Sequence, residues 1–308
     1  MPTNPRYTAA EAHVFDRYAL SPTVRTVSLA RPRLRVRVVE VGEGEPTVFL
    51  HGYSHCVAHW ASLVSRLAVA RSVMLDAPGH GETDAVTFSG VNLRAWYKEM
   101  LIGCLDALGI EHARLIGHSQ GGMQALWLAL DAPDRVRSVV AIGTPAVAFD
   151  ARLDGLRLLA RPAIGRLLLS VPWPRPMYRS ILAGTMGSAG VRAYPDLVRA
   201  THKAIHRAGY AKTVASYLQE MFRGLDAEPR QYALADTDLQ RIAQPALVLW
   251  GDRDANQSIE DAKARAALIP HSRFEVVAGG HEPWLDDLDA CASLISAVHA
   301  GYPSWESD

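Results

Sequence analysis

Short apolar runs recur along this chain, and helical patterns separate them. The runs at 47–50, 72–75 and 246–250 are almost entirely apolar, which is typical of strands that are covered on both faces of a sheet. The segment 91–108 instead repeats apolar residues at every third or fourth position, as an amphipathic helix does. Strands that alternate with helices pair in parallel, because each crossover needs the length of a helix. The pattern therefore predicts an α/β fold with a mostly parallel sheet that is flanked by helices.

The alternation stops between residues 145 and 244, where no buried strand run occurs and prolines and glycines are frequent. This pattern predicts a mostly helical insertion, 145–244, between two parts of a core domain, 1–144 and 245–308. The segment 156–171 mixes arginines with many leucines. It fits an amphipathic helix that touches a membrane, or a helix whose apolar face covers the core domain. We prefer the second interpretation.

Arginines alternate through the start of a predicted antiparallel strand at 34–41, and they are Arg31, Arg33, Arg35 and Arg37. The alternation fits either a basic patch or the solvated face of a half-exposed strand. Lysine plus arginine and aspartate plus glutamate both number 32. Because this balance also argues against a dedicated nucleic-acid binder, we prefer the solvated strand face.

The cysteine count, residues 1–20 and the lengths of the apolar stretches indicate where in the cell the protein is expected. Three cysteines do not suggest a disulfide framework. Charged residues interrupt residues 1–20, so no signal peptide is expected. No apolar stretch is long enough to span a bilayer. We expect a cytoplasmic protein with no stable membrane insertion, either a monomer or a homodimer, without a metal or another cofactor.

The segment 116–123 carries the strongest chemical signal. It reads as strand, tight turn and helix, with Ser119 at the apex between Gly117 and Gly121. This is the G-x-S-x-G spacing of a nucleophile elbow. Glycines are needed two residues before and two after the serine, because the backbone segments approach too closely for a Cβ atom. The backbone N–H of Gln120 would then point at whatever Ser119 attacks.

Polar residues follow the predicted parallel strands at the edge where ligands bind in such sheets. The ends of the strands carry a nucleophile, candidate acids and a candidate base, in the order Ser, Asp, His that is typical of this elbow class. The residues are His51-Gly52-Tyr53, Asp76, Ser119, Asp252, Asp254 and His281.

These motifs resemble those of the α/β-hydrolase family, and the resemblance covers residues 24–299. Its pieces are His51-Gly52, the run 76–81, the run 117–122, the run 251–254, and Gly279-Gly280-His281. The resemblance implies the α/β-hydrolase fold, with a mostly parallel eight-stranded sheet flanked by helices. It also implies that 145–244 is a helical cap domain inserted after strand 6.

The resemblance also implies a role for each matching residue. Ser119 would be the nucleophile, His281 the base and Asp254 the acid. Asp252 competes for the acid position, but the family's acid lies three residues after the glycine, which favours Asp254. The backbone N–H groups of Tyr53 and Gln120 would form the oxyanion hole. The supporting residues would be His51, Gly52, Gly117, His118 and Gly121.

One departure concerns the loop after His51-Gly52, where many members have glycine or other small residues. Here Ser54-His55-Cys56 follow, so the resemblance determines the path near Tyr53 less well. Aromatic, histidine and methionine residues of the insertion are candidates for the pocket, although most are expected in the cap's own core. They are Trp173, Met177, Tyr178, Met186, His202, His206, Tyr210, Tyr217, Met221 and Phe222.

The predicted activity is that of a serine hydrolase. It would cleave an ester, lactone or thioester of a small to medium hydrophobic substrate through an acyl-enzyme, with water as the second substrate. An alternative is hydrolysis of a C–C bond, or perhydrolysis without a cofactor, by the same three residues. A third hypothesis is a ligand-binding receptor on the same fold, which would bind a ligand without turning it over.

Overall fold

The sheet has eight strands, as the sequence predicts, in a computed structural model that describes residues 5–147, 154–186, 190–227, 231–254 and 258–299. The strand order is β1-β2-β4-β3-β5-β6-β7-β8. From β4 onward every pair of neighbours is parallel, whereas β2 is antiparallel to both β1 and β4. The strands are β1 (Thr23–Leu29), β2 (Leu34–Gly42), β3 (Pro46–Leu50), β4 (Arg71–Leu75), β5 (Ala113–His118), β6 (Val136–Ile142), β7 (Ala246–Gly251) and β8 (Ser272–Val277).

Helices flank the sheet and separate its strands. Outside the segment between β6 and β7 they are α1 (Pro5–Arg17), α2 (Ala61–Arg66), α3 (Leu93–Ala107), α4 (Gln120–Asp131), α12 (Ile259–Ala266) and α13 (Leu288–His299), with 3₁₀ turns at Val57–Trp60, Pro133–Arg135 and Pro283–Leu285. The side chain of Asn92 caps α3 by accepting from the N–H of Ala95 at 2.9 Å. Two apolar clusters form the core, and strands β3, β5, β6 and β7 contribute side chains to both.

The described residues between β6 and β7 form helices, turns and loops without a strand. These helices are α5 (Asp154–Leu159), α6 (Pro162–Ser170), α7 (Arg175–Met186), α8 (Gly190–Ala193), α9 (Pro195–Ile205), α10 (Tyr210–Leu225) and α11 (Asp236–Leu239). We propose that 145–244 is a cap domain on a core formed by 1–144 and 245–308, and we call it the cap below.

Of the four alternating arginines, Arg31, Arg33 and Arg35 are exposed, as the preferred solvated face predicts, but Arg37 on β2 is not. Arg37 is almost completely buried, and its guanidinium donates to Asp76 Oδ2 at 2.9 Å and to the carboxylate of Glu11. Glu11 lies on α1, which covers this part of the sheet. A buried arginine is stable only when its charge is paired. The ion pairs of Arg37 therefore connect α1 and β2 to Asp76, directly after β4.

The helix α6 also differs from our preferred interpretation. It packs against α5 and α10 inside the cap, and Gly165 is its buried residue. Leu167 is 68% exposed. Leu156, Leu159 and Leu169 are half-buried against an apolar cluster that includes residues of both the core and the cap, whereas Leu158, Ile164 and Leu167 are exposed. Only part of the apolar surface of the segment is therefore covered.

Candidate active site

Ser119 lies at the apex of the turn from β5 to α4, in a backbone conformation with φ +51°. Positive φ is strained for a residue with a side chain and is retained where the surroundings hold it. A Cβ on Gly117 would lie 2.3 Å from the carbonyl oxygen of Gly121, and a Cβ on Gly121 would lie 2.0 Å from that of Leu50. Both positions therefore need glycine, for the close approach that the spacing predicts.

His281 lies in the loop after β8 and pairs with a carboxylate from the loop after β7. Its Nδ1 atom is 2.7 Å from Asp254 Oδ2. Since a carboxylate accepts, Nδ1 carries the proton and Nε2 is left as the acceptor. Asp252 instead accepts from the backbone N–H of Gly279 at 2.8 Å. Of the two candidate acids, Asp254 contacts the imidazole and Asp252 holds the loop backbone.

Gly143 is a residue of the site that sequence reasoning missed. It follows β6 with φ +52°, and a Cβ there would lie 3.0 Å from His281 Nδ1 and 3.2 Å from Asp254 Oδ2. A side chain at this position would push the imidazole and the carboxylate apart. The available signal was a glycine directly after a buried strand, at the edge where ligands bind.

Two backbone N–H groups are candidates for the oxyanion hole. The residues that supply them, Tyr53 and Gln120, follow β3 and open α4 respectively. A Cβ on Gly52, the residue before Tyr53, would lie 3.2 Å from Ser119 Cβ, and Gln120 directly follows Ser119. Among the described residues, neither N–H donates to a protein acceptor. An N–H at the start of a helix has no partner within that helix and is available to an anion.

His51 supports the loop that carries Tyr53. Its Nδ1 donates to the carbonyl of Gly52 at 2.8 Å, and its Nε2 accepts from the N–H of Ala77 at 2.9 Å. This pair of bonds requires the neutral imidazole. Burial lowers the pKa of His51 to about 3, in agreement with that tautomer. The histidine therefore acts as a fixed bridge between the loops after β3 and β4.

Ser54 occupies the position where the resemblance left the loop path open. It adopts φ +61°, and its Oγ lies 2.8 Å from the hydroxyl of Tyr210 on α10. A residue of the cap thus holds a strained serine next to the N–H of Tyr53. Tyr210 was one of ten aromatic, histidine and methionine candidates, and no sequence spacing separated it from the others.

A buried carboxylate joins the loop of His281 to the loop of Tyr53. Glu282 Oε1 accepts from His59 Nδ1 at 2.7 Å and lies 3.1 Å from His55 Nε2. The Nδ1 atom of His55 donates to the carbonyl of Tyr53 at 2.5 Å. Burial alone would raise the pKa of Glu282, but the two histidines hold it well below its usual range. The cluster braces the two loops against each other.

His118 is placed directly behind the candidate base. Its Nε2 donates to the backbone carbonyl of His281 at 2.9 Å, and burial lowers its pKa well below the ordinary value. His118, His55 and Glu282 bring ligand atoms within 4.8 Å of one another, a spacing that a metal ion could use. Because His118 Nε2 and Glu282 Oε1 already have hydrogen-bond partners, we interpret the group as a hydrogen-bonded support.

The candidate pocket residues lie in several environments. Tyr178, Tyr210, Tyr217, Met221 and Phe222 are buried, Trp173, His202 and His206 are half-buried, and Met177 is exposed; the side chain of Met186 lies outside the described residues. Buried aromatic rings of the cap and the core meet, since the rings of Tyr217 and Phe88 are 5.9 Å apart. Of this set, Tyr210 makes a direct hydrogen bond to the loop of Tyr53.

We expect the protein to lose stability in mild acid because of its buried neutral histidines. Burial lowers the pKa of His51 to about 3 and that of His80 to about 4, from 6.5. Between pH 6.5 and about pH 4 the unfolded chain binds more protons at these histidines than the folded chain does. Their contribution to stability is therefore complete above pH 6.5 and falls as the pH falls. Each such group reduces the free energy of unfolding by about 1.4 kcal/mol per pH unit, and buried His118, whose pKa is also lowered, adds to the effect. Urea denaturation between pH 8 and pH 4, at roughly half-unit steps, measures the slope.

The variants His80→Gln and His112→Gln separate this effect from general acid sensitivity. Replacing buried His80 should reduce the slope by about 1.4 kcal/mol per pH unit, because one of the imidazoles that stay neutral in the folded chain is removed. His112 lies on the surface with its side chain 38% exposed, and its replacement should leave the slope unchanged. An unchanged slope in His80→Gln would contradict the assignment.

Comparison with known proteins agrees with this architecture. A family model described as the alpha/beta hydrolase fold matches residues 45–163. The carboxylesterase of Bacillus subtilis superimposes with a TM-score of 0.76 at 20% identity, over 96% of this chain and 98% of that one. The 2-hydroxy-6-oxo-6-phenylhexa-2,4-dienoate hydrolase of Rhodococcus sp. strain RHA1 superimposes with a TM-score of 0.73 at 21% identity, over 91% and 100% of the two chains.

Sequence relatives cover most of the chain. A 2-hydroxy-6-oxononadienedioate/2-hydroxy-6-oxononatrienedioate hydrolase of Klebsiella pneumoniae subsp. pneumoniae is 29% identical over 274 residues, which are 85% of this chain and 90% of the relative. A dihydrolipoyllysine-residue acetyltransferase component of the acetoin cleaving system of Cupriavidus necator is 33% identical over 85% of this chain and 66% of its own length. With the eight-stranded sheet, its order and the family match, the chain belongs to the α/β-hydrolase family and is a hydrolase.

Proposed function

We propose that the protein is a serine hydrolase of carboxylic esters, lactones or thioesters, with Ser119, His281 and Asp254 as its catalytic residues. The observation that carries the proposal is the contact of 2.7 Å between His281 Nδ1 and Asp254 Oδ2. It leaves Nε2 as a base, on a strand-end loop of the same sheet that presents Ser119 at its elbow. A serine hydroxyl needs such a base to become nucleophilic.

The proposed reaction has two acyl-transfer steps. Ser119 Oγ attacks the carbonyl carbon while His281 Nε2 takes the hydroxyl proton, and the N–H groups of Tyr53 and Gln120 stabilise the oxyanion. Collapse breaks the bond to the leaving alkoxide, which takes the proton from His281. Water, deprotonated by His281, then attacks the acyl-enzyme, and the carboxylic acid and free Ser119 are released. Asp254 holds the imidazole tautomer and stabilises the imidazolium.

The charges around the site favour a substrate without carboxylates. In the described part of the chain, the arginines that contact the strand-end loops, such as Arg37, Arg207 and Arg253, each have a carboxylate within 4.0 Å. Burial keeps His51 and His80 neutral. A dianion placed here would lose its hydration without gaining an unpaired cation. The buried rings of the cap instead suit a neutral, hydrophobic acyl group.

A second candidate is hydrolysis of a C–C bond in a 2-hydroxy-6-oxo-dienoate. The names of several relatives support it, among them the Klebsiella pneumoniae hydrolase and a 2-hydroxy-6-oxo-2,4-heptadienoate hydrolase of Pseudomonas putida, which is 29% identical over 77% of this chain. The same nucleophile, base and oxyanion hole would serve that reaction. The identities are modest, and we place this candidate behind the ester hydrolase because of the paired cations described above.

A substrate panel distinguishes these candidates. We expect p-nitrophenyl esters with short and medium acyl chains to be cleaved, with kcat/KM higher than for a 2-hydroxy-6-oxo-dienoate, whose cleavage is followed by the loss of its dienoate absorbance. A higher kcat/KM for the dienoate would move the assignment to C–C hydrolysis. Binding of both compounds without turnover of either would contradict an enzymatic function and favour a receptor.

A further inference from the structure

The outer surface of the cap carries an unusual concentration of exposed apolar side chains. Of the eight large hydrophobic residues that are exposed in the described part of the chain, six lie between residues 158 and 181. The remaining two, Val24 and Val276, lie on β1 and β8. The six are Leu158, Ile164, Leu167, Val171, Met177 and Ile181. A cluster of this kind on a folded protein typically marks an interaction site.

The apolar residues follow helical spacing on the outside of two consecutive helices. Ile164 and Leu167 on α6, with Val171 directly after it, have i, i+3, i+7 spacing and share one exposed face. Met177 and Ile181 on α7 have i, i+4 spacing. Tyr178, on the other side of α7, is buried with its ring 5.3 Å from that of His202. The inner side of α7 thus belongs to the cap's interior, and the outer side faces outward.

The charges of this segment have a single sign. Residues 155–195 contain six arginines and no lysine, aspartate or glutamate, in a chain whose formal net charge is zero. Arg161, Arg166 and Arg175 are exposed, and the described residues place no carboxylate within ion-pair distance of them. Arg157 forms an ion pair with Asp226, directly after α10, so its charge is already partly neutralised. The apolar face is therefore bordered by exposed positive charge.

We propose that the face formed by α6, α7 and their linker, with its bordering arginines, docks on an anionic lipid surface. Apolar side chains on a helix bordered by arginines bind in the plane of a membrane interface, where burial of the side chains and attraction to anionic headgroups add together. None of the described helices has the length and hydropathy that crossing a bilayer requires. The contact is therefore peripheral, and it places the cap against the surface from which a hydrophobic ester would enter.

A second copy of the chain fits this face less well. A symmetric dimer brings the same patch of both copies together, so each exposed arginine would face a patch that offers arginines and no carboxylate from residues 155–195. Like charges across an interface oppose association. Charge complementarity therefore favours an anionic surface as the occupant.

Vesicle flotation with the full chain tests the proposal. We expect binding to phosphatidylcholine vesicles that contain phosphatidylglycerol, little binding to phosphatidylcholine alone, and weaker binding at high salt. Leu167→Asp should reduce the partition coefficient by about tenfold, since Leu167 carries the most exposed apolar side chain of the face. The double variant Arg161→Ala/Arg166→Ala should reduce it by roughly thirtyfold, at about fivefold for each arginine.

Val24→Asp is the matched control, because Val24 is 48% exposed on β1, outside this face. The control should bind as the unaltered chain does, and all variants should keep its melting temperature and its ester turnover in free solution. Equal binding to neutral and anionic vesicles, or an equal loss in Val24→Asp and Leu167→Asp, would overturn the proposal. The proposal would also be overturned if the chain did not bind vesicles but formed a dimer that Leu167→Asp dissociates. The face would then be the contact surface for a second copy of the chain.

Discussion

Ser119→Ala is expected to lower kcat for p-nitrophenyl esters by roughly 10⁶-fold, as loss of the nucleophile does in other serine hydrolases, and to abolish labelling by a fluorophosphonate. Ser119 is half-exposed at a strained turn beside the N–H groups of Tyr53 and Gln120. Ser54 is also strained, but its Oγ is hydrogen-bonded to the hydroxyl of Tyr210, so it should not replace Ser119. Intact mass spectrometry after labelling, together with initial rates, measures both effects.

The matched control for this prediction is Ser65→Ala. The hydroxyl of Ser65 donates to the carbonyl of Ser62 on α2, away from the strand-end loops, so labelling and turnover should be unchanged. Alanine at position 119 should also preserve the melting temperature, since it keeps the Cβ of the strained turn. If the alanine variant is still labelled at the unaltered rate, Ser119 is not the nucleophile.

Asp254→Asn is expected to lower kcat by about 10⁴-fold with little change in KM. An asparagine in this position can hold the imidazole in the wrong tautomer and does not stabilise the imidazolium, and such a change has an effect of this size in a Ser-His-Asp site. The carboxylate contacts His281 Nδ1 at 2.7 Å, so the variant removes the charge without removing the side chain. Steady-state kinetics on a p-nitrophenyl ester measures both parameters.

Asp252→Asn provides the comparison, because Asp252 is the other acid of the same loop. Its carboxylate accepts from the N–H of Gly279, a bond that an amide oxygen can also accept. We expect its kcat to fall by less than about tenfold, since the tautomer of His281 does not depend on it. A large loss of kcat in Asp252→Asn, together with an active Asp254→Asn, would show that Asp254 is not the catalytic acid and that Asp252 is.

A hydrogen bond links the cap to the loop after β3 that carries Tyr53 and Ser54. The hydroxyl of Tyr210 is hydrogen-bonded to Ser54, and Ser54 directly follows Tyr53, whose N–H we propose as an oxyanion donor. A shift of α10 would therefore move a proposed oxyanion donor. Oxyanion donors act through their position relative to the reacting atom, so under this proposal a shift of α10 would change the chemical step as well as the shape of the pocket.

The number and type of the core elements could be predicted from the sequence because their signals are local. Strands such as β3 and β7 are apolar along their length, since both faces of a parallel sheet are covered. The helix α3 has the amphipathic period and an asparagine cap. The elbow was equally recognisable, because the close backbone approach around Ser119 excludes every residue but glycine at positions 117 and 121.

The preferred interpretations failed at Arg37 and at α6, because periodicity reports which residues alternate and not what covers them. The alternation of β2 suggested that Arg37 was solvated, yet α1 supplies Glu11 and buries it. The leucines of α6 suggested burial on the core domain, yet α6 contacts other cap helices and exposes Leu167. In both cases a distant segment decided the environment.

The sequence by itself determined the parallel sheet, the order of the elements and the candidates Ser119, Asp254 and His281, because strand, turn and elbow signals are local and strand ends meet at one edge. Only the tertiary structure decided which groups brace them. The approach of Gly143 to His281, the bond from Tyr210 to Ser54 and the bridge from Glu282 to His55 join residues that are far apart along the chain or have no periodic signal. Such contacts depend on packing between elements, and no local pattern specifies them.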